Sequence, residues 1–201
     1  VFGYNQPMLE ESFIMTLAML AYGALHSLLA ARRSKALARR WLGKTGERFY
    51  RLFFALVATL SFALPGLWLL LHPGAVLYSI PAPWRWIFTL VQGACAAVIL
   101  ITLGQTGVLA FLGLDAFLSD RAHPGQPGLV RSGLYRWVRH PVYTLSLLIL
   151  FLAPTMTATW LGLALGALIY ILVALPLEES KLLDEFGAAY AEYRQQTPAL
   201  I

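Results

Sequence analysis

The stretch PVYTLSLLILFLAPTMTATWLGLALGALIYILVAL, residues 141–175, decides the fold because it contains no charged residue. As one helix it would measure about 50 Å at 1.5 Å per residue, well beyond a hydrocarbon core of about 30 Å. Pro154 lies near its middle, and a proline inside a helix breaks or kinks that helix. The stretch therefore predicts a hairpin of two short antiparallel membrane helices, residues 142–153 and 156–175.

Three further apolar segments precede the hairpin, at residues 12–31, 52–71 and 86–109. Each is close to the length of about 20 residues that crosses a bilayer. Charged residues make up only 12% of the 201-residue chain, against roughly 25% in ordinary soluble domains. We therefore expect an all-α fold, a polytopic membrane helix bundle of about five transmembrane segments in a single domain covering residues 1–201.

The basic residues indicate how this bundle is oriented. With five segments, 14 of the 15 Lys and Arg residues fall on one side of the membrane, and Arg85 is the exception. Because cytoplasmic loops carry an excess of Lys and Arg, we expect the amino terminus outside and the carboxyl terminus in the cytoplasm, in a bacterial inner membrane. The net charge of +5 is then explained by basic residues that set the orientation in the membrane, and nucleic acid is not expected as a partner.

The residues before Met8, VFGYNQP, do not fit a targeting segment. They are too few and lack the basic start of a signal peptide. Met8 is therefore a candidate start residue.

The last segment, EESKLLDEFGAAYAEYRQ at residues 178–195, predicts an amphipathic helix. Its apolar stripe follows steps of four, four and three residues, at Leu182, Phe186, Tyr190 and Tyr193. Pro176 suits a helix start, and acidic residues in the first turn complement the positive end of the helix dipole. We expect this helix to lie along the bundle or on the cytoplasmic surface of the membrane.

The hairpin should bring two polar segments together at one face of the membrane. If the chain enters the membrane after His140 and leaves before Glu178, the segments RWVRHPVY (136–143) and LEES (177–180) emerge side by side. A pocket there would have one basic wall, one acidic wall and aromatic residues between them. These are Arg136, Arg139 and His140; Glu178 and Glu179; and Tyr135, Trp137 and Tyr143.

Such a pocket suits a zwitterionic amino acid group that also carries a soft cation. A guanidinium pairs with a carboxylate and a carboxylate pairs with an ammonium, while aromatic faces attract a sulfonium. S-adenosylmethionine combines these three features. The same residues also fit two structural roles, since the carboxylates can cap a helix and the arginines can anchor it to lipid head groups.

Three motifs in order add a family resemblance: R-H-P-x-Y at Arg139–Tyr143, the acidic pair Glu178 and Glu179, and F-G-x-x-Y-x-x-Y at Phe186–Tyr193. Together they resemble the membrane methyltransferases typified by isoprenylcysteine carboxyl methyltransferase, within the phospholipid methyltransferase superfamily. The amino half, at residues 24–56 and in FLGLDAF (111–117), is similar to the NnrU and methanethiol S-methyltransferase families. The segment LGQTG (103–107) resembles a glycine-containing cofactor segment of the phospholipid enzymes.

The resemblance implies methyl transfer from S-adenosylmethionine, at the cytoplasmic membrane face, to a lipophilic or small membrane-accessible carboxylate, thiol or amine. It implies catalytic roles for Arg139, His140 and Glu179. Arg139 would orient the cofactor carboxylate or an anionic acceptor, and a histidine or glutamate base would serve an amine or protonated thiol. The implied cofactor contacts are Tyr135, Arg136, Val138, His140, Pro141, Tyr143, Glu178, Glu179 and Tyr190. No metal is expected, and the remaining partners are membrane lipids.

Two features leave other functions open. Family members often carry a glycine soon after the motif tyrosine, where this chain has Thr144, Leu145 and Ser146, so the hairpin is expected to pack less closely. His26 lies inside an apolar span about one turn from its end, where a structural role and a ligand role both fit. The alternatives are an NnrU-like haem-binding protein or isomerase that uses His26 and His140, and a non-catalytic membrane subunit.

Overall fold

The structure, a computed structural model, describes residues 6–105 and 128–201. Its elements are α1 (Gln6–Ala30), α2 (Arg32–Leu71), β1 (Val76–Ser79), α3 (Trp84–Gln105), a 3-10 helix (Gly133–Arg136), α4 (Pro141–Phe151), β2 (Thr155–Thr157), α5 (Ala158–Phe186) and α6 (Ala188–Gln196). The predicted all-α membrane bundle is confirmed. The end of the third predicted span, FLGLDAF and the last two residues of LGQTG lie outside the described residues.

Within these ranges, four helices are long and apolar enough to cross a membrane. They are Met8–Ala30, Phe49–Leu71, Trp84–Leu103 and Ala158–Phe186. A fifth apolar helix, α4, is shorter, with 11 residues. At 1.5 Å per residue it reaches only about half of a hydrocarbon core of about 30 Å. The chain is therefore an integral membrane protein with one short arm in its hairpin.

The hairpin breaks where the sequence predicts. Helix α4 ends at Phe151, and α5 begins at Ala158 after a turn that contains Pro154. The Thr157 side chain caps α5 by accepting a hydrogen bond from the Trp160 backbone N–H at 3.2 Å. Proline and a threonine cap thus end one helix and start the next.

The loop after α2 contains a strand that the sequence analysis missed. Strand β1 pairs antiparallel with β2 at the tip of the hairpin. The Ile80 N–H also donates to the Pro154 carbonyl at 2.8 Å, and the Ala158 N–H donates to the Ala75 carbonyl at 2.9 Å. These bonds satisfy backbone groups at the tip and tie it to the connection between α2 and α3.

Helix α1 packs lengthwise and parallel against α5. Small residues of α5 permit this approach, since a Cβ on Gly162 would lie 2.9 Å from the Met15 Cβ and one on Gly166 would lie 2.6 Å from the Met19 Cβ. The Thr16 hydroxyl lies 3.1 Å from the Gly162 carbonyl. Small residues and interhelical hydrogen bonds are the usual means of helix association in lipid. Because the two helices run in the same direction, the end of α1 lies beside the last turns of α5.

Helix α2 contains a sharp corner. Gly43 has φ of 60°, a left-handed value that ends a right-handed helix. After the corner the chain comes back so closely that a Cβ on Gly46 would lie 2.6 Å from the Ala38 carbonyl oxygen. Helix α2 therefore has a polar arm before the corner and an apolar membrane arm after it.

The final amphipathic helix was predicted with the wrong boundaries. Helix α5 continues through Pro176 to Phe186, so Glu178 and Glu179 lie well inside a long helix rather than in a first turn. The break falls instead at Gly187, with φ of 56°, and α6 follows as a separate helix. Transmembrane helices tolerate proline where neighbouring groups satisfy the freed carbonyl. The membrane helix thus carries the acidic pair directly.

Candidate active site

The segment before α4 and the last turns of α5 meet at one end of the bundle. His140 is the residue that precedes α4, and Pro141 occupies the first helical position, where its missing N–H costs nothing. Glu178 and Glu179 project from α5 toward this junction. The predicted approach of base and acid across the hairpin is therefore observed.

The Arg139 guanidinium is the centre of the cluster. Its Nε donates to the Glu179 Oε1 atom at 2.7 Å, and Nη2 donates to the same oxygen. Nη1 donates to the backbone carbonyls of Arg194, at 3.0 Å, and Thr197. Four of the five guanidinium N–H groups are thus engaged within the protein, so this side chain positions Glu179 and the segment after α6.

Glu179 is the most enclosed of the Arg, His and Glu side chains in this cluster, with its side chain 5% exposed. Besides Arg139, its carboxylate lies 3.3 Å from the Arg194 Nε and 3.5 Å from the His140 Nε2. A buried carboxylate is costly unless it is paired and hydrogen-bonded. The two guanidiniums compensate its charge here and hold it in one position.

Glu178 has a different environment, with its side chain 45% exposed. It accepts a hydrogen bond from the Tyr143 hydroxyl at 2.7 Å, and its Oε2 atom lies 3.9 Å from the His140 Nδ1. The His140 and Tyr143 rings stack at 5.5 Å between centroids. This carboxylate is thus oriented by the Tyr143 hydroxyl and, being partly exposed, keeps the capacity to pair with a cation from outside.

The tyrosines of α6 close the cluster. Tyr190 is 1% exposed, and burial together with the Glu179 charge raises the pKa of its hydroxyl to about 12. The Tyr193 hydroxyl donates to the Tyr135 carbonyl at 2.6 Å and so joins α6 to the 3-10 helix. Burial, and then the charge of Glu178, raises the pKa of Tyr135 as well. All three hydroxyls stay neutral at physiological pH.

The backbone after α6 seals the opposite side of Arg139. The Arg139 N–H donates to the Pro198 carbonyl at 2.9 Å, and the His140 N–H donates to the Ala199 carbonyl at 3.1 Å. These bonds, with the guanidinium contacts to Arg194 and Thr197, make residues 197–199 part of the site's framework. No sequence signal indicates such a role, since carbonyl groups are common to all residues.

Not every predicted site residue joins the cluster. Arg136 and Trp137 are exposed and so lie outside the buried cluster. Val138 and Pro141 are buried and contribute packing. Arg194 was missed as a site residue, although it directly follows the tyrosine motif and so lies within one turn of Tyr190.

Three buried polar atoms at this junction lack a well-formed hydrogen bond to any described residue. They are the His140 Nε2 atom, the Thr144 hydroxyl and the Tyr190 hydroxyl. Most buried polar groups in proteins are satisfied, and exceptions call for an explanation such as a bound group. Thr144 follows the motif tyrosine directly, in the segment where family members often carry a glycine. Its side chain is buried in the hairpin.

His26 stands among aromatic rings of three helices. Its ring centroid lies 5.8 Å from Tyr22, 4.9 Å from Phe54 and 6.2 Å from Tyr170. The described residues contain no group of three or more His, Cys, Asp and Glu side chains that could hold a metal ion. A haem held by His26 and His140 stays a prediction.

Comparison with known families gives a match over the region that contains the site. The profile of the family described as phospholipid methyltransferase (PEMT) matches residues 86–189. This range includes all but the first two residues of α3, the α4–α5 hairpin and both acidic residues. No solved structure gives a significant match.

Several curated proteins are similar to nearly the whole chain. Methanethiol S-methyltransferase 1 of Bradyrhizobium diazoefficiens is 31% identical over 199 residues, which cover 96% of this chain and 67% of the relative. The methanethiol S-methyltransferase of Mycobacterium tuberculosis is 30% identical over 203 residues, covering 95% of this chain and 78% of its own. The methanethiol S-methyltransferase of Crocosphaera subtropica is 31% identical over 210 residues, which cover 98% of this chain and 77% of the relative.

Proposed function

The chain belongs to the phospholipid methyltransferase family and is an integral membrane methyltransferase, and from this premise we propose that it methylates a small thiol with S-adenosylmethionine as donor. The observation that carries the proposal is the cluster of Arg139, His140, Glu178 and Glu179 at the end of the hairpin. The names of the relatives support a thiol over a carboxylate or an amine.

The donor set at this junction fits S-adenosylmethionine. Glu178 offers a half-exposed carboxylate for the ammonium group, and the stacked His140 and Tyr143 rings offer a face for the sulfonium. Arg136 is exposed three residues before Arg139 in the sequence and is our candidate partner for the carboxylate. The buried Thr144 hydroxyl beside this junction lacks a hydrogen-bond partner among the described residues, which further supports a bound polar group.

The roles of the two acidic residues then differ. Glu179 is neutralised by Arg139 and Arg194 inside the protein, so we assign it to positioning the site. Glu178 is oriented by the Tyr143 hydroxyl and faces outward, so we assign it to ligand contact. Arg139 likewise positions Glu179, in place of the expected direct contact with the cofactor carboxylate.

The chemistry requires a thiolate, because the thiol itself is a poor nucleophile. His140 accepts the thiol proton, and the resulting imidazolium is stabilised by Glu178, 3.9 Å from Nδ1, and Glu179, 3.5 Å from Nε2. The bound sulfonium supplies an electrophilic methyl group. This methyl group would pass to the thiolate sulfur, with the electron pair of the broken carbon–sulfonium bond left on the donor sulfur. Enclosure by Tyr190 and Tyr193 excludes water from this step.

The distribution of basic residues supports a site on the cytoplasmic side of a bacterial inner membrane. Arg32, at the start of α2, lies 3.1 Å from Asp184 near the end of α5, so the arginine-rich arm and the acidic pair lie at the same end of the bundle. Cytoplasmic ends of membrane helices are rich in Lys and Arg. A periplasmic phosphatase reporter fused after Ile201 should therefore be inactive, and an active fusion would contradict this orientation.

The decisive test is binding of radiolabelled S-adenosylmethionine to the purified chain in lipid nanodiscs. We expect Glu178→Gln to weaken binding about tenfold or more, the loss of one charge-assisted hydrogen bond. Glu185→Gln, an exposed residue about two turns further along α5, is the matched control and should bind normally. Unchanged affinity in the Glu178 variant would contradict the assigned site.

The acceptor is tested by supplying methanethiol, a phosphatidylethanolamine extract or a prenylcysteine to separate reactions with the labelled donor. We expect volatile labelled thioether from the thiol alone. Transfer to a lipid amine or carboxylate with none to the thiol would keep the methyltransferase assignment and overturn the thiol acceptor.

A further inference from the structure

A groove with arginines beside it lies at the corner of α2, apart from the methyltransferase cluster. The arm before the corner, from Arg32 to Leu42, turns back at Gly43, and Gly46 packs against its Ala38 carbonyl. The arm after the corner enters the membrane as the apolar segment Phe49–Leu71. The corner therefore lies at the boundary between lipid head groups and hydrocarbon.

A groove of about 380 Å³ opens between the two arms. It is lined by Leu29, Ser34, Leu37, Ala38, Trp41, Tyr50 and Phe53. Its two hydroxyl groups are already engaged, since Ser34 donates to the Leu28 carbonyl at 2.5 Å and Tyr50 donates to the Leu29 carbonyl at 2.7 Å. What the groove offers to a ligand is thus an apolar surface, with Trp41 78% exposed at its edge.

Cations adjoin this apolar surface. Arg33 and Arg40 lie four residues before and three residues after Leu37, so helical spacing puts all three on one face of the arm. Both arginines are exposed, as is Lys44 just beyond the corner. The sequence from Arg32 to Gly46 contains no acidic residue. Arg32 of this arm pairs with Asp184, whereas Arg33 and Arg40 have no ion pair with a described residue. An apolar slot bordered by these two arginines matches a ligand with a hydrocarbon chain and an anionic head.

We propose that this corner binds one anionic phospholipid, with an acyl chain in the groove and the phosphate against Arg33 and Arg40. Charge complementarity favours an anionic over a zwitterionic lipid, whose ammonium group these side chains would repel. Each basic residue close to a membrane surface raises the affinity for anionic lipids about fivefold. Trp41 suits the mouth of such a site because its ring prefers the interface.

The test is native mass spectrometry of the delipidated full chain with phosphatidylglycerol or phosphatidylcholine of identical acyl chains. We expect at least about tenfold tighter binding of phosphatidylglycerol, and loss of that preference in Arg33→Gln/Arg40→Gln, as two removed charges imply. Arg85→Gln removes an exposed cation at the other end of the bundle and should keep the preference. Trp41→Ala should weaken both lipids, because it removes the edge of the groove.

Each outcome decides the proposal. Equal affinity for the two lipids, or an equal loss in the Arg85 variant, would overturn it. Competition by a phosphatidylglycerol with six-carbon chains as strong as by the long-chain lipid would also overturn it, because the groove would then contribute nothing. Circular dichroism and thermal unfolding confirm folding of each variant, and the exposed Trp41 provides a substitution that leaves the packing of the corner intact.

Discussion

The two ends of the α4–α5 hairpin are held by different chemistry. At the tip, backbone groups of β1 and β2 pair, and neutral hydroxyls of Ser79 and Thr155 meet at 3.2 Å. At the other end, Arg139, Glu179 and Arg194 form a largely buried charge network. The tip is a scaffold whose bonds do not depend on any one side chain. The end with the candidate active site depends on a few groups that need one another, because an unpaired buried charge is expensive.

Among the changes that test this difference between the two ends, removal of the Arg139 side chain should cause the largest loss of stability. Arg139→Ala leaves Glu179 buried with a weakened set of partners and frees the carbonyls of Arg194 and Thr197. Breaking a buried ion pair from one side costs about 3–5 kcal/mol, so we expect a loss of this size in the free energy of unfolding, measured in detergent. Methyl transfer should also be abolished.

The matched variant is Arg85→Ala at the tip, where the exposed guanidinium lies 3.4 Å from the Thr155 hydroxyl. This contact is solvent-exposed, so its loss should cost less than about 1 kcal/mol. Similar losses for the two arginines would show that the ends do not differ as described.

Gly162→Ala should give a smaller loss, near the tip and without a change of charge. Its Cβ would overlap the Ser12 carbonyl oxygen and lie 2.9 Å from the Met15 Cβ, so α1 and α5 must move apart. Overpacking of this kind costs about 1–3 kcal/mol. The thermal unfolding temperature should fall accordingly. The folded fraction should keep its normal affinity for S-adenosylmethionine. Gly66→Ala, in open space on α2, is the control.

The smallest expected effect is a difference between the two ends in how stability depends on alkaline pH. The pKa of Tyr190 is raised to about 12 by burial and by Glu179, so the folded protein retains a proton that the unfolded chain loses near pH 10. The resulting stability is complete below about pH 10 and declines as the pH rises toward 12. Tyr190→Phe should flatten this decline in chemical denaturation, whereas Tyr78→Phe on exposed β1 should not. An equal slope in both variants would contradict the assignment.

Local signals were sufficient for the membrane architecture. The uncharged stretch of residues 141–175 and Pro154 predict the hairpin, and the structure places its turn between Phe151 and Thr155. Hydrophobic length depends on neighbouring residues alone, so it can be read from the chain. Strand β1 could not be predicted, because its four exposed residues acquire strand geometry only by pairing with the distant tip.

The helix through Pro176 shows a local rule overridden by its surroundings. Proline usually marks a helix start, yet here α5 continues because it is held between α1 and the site. The actual break comes at Gly187, whose left-handed φ requires no side chain. Glu178 and Glu179 are consequently fixed on a rigid membrane helix.

The sequence by itself determined a helical membrane protein, a broken hairpin and the residues that meet at its open end. Those features follow from composition, helix length and the order of motifs along the chain. Only the tertiary structure decided that Arg139 holds Glu179, that Glu178 remains partly open, and that residues 197–199 close the site. The reason is physical: residues of the same charge and chemistry, adjacent in sequence, acquire different roles through burial and through partners about 40 positions away along the chain.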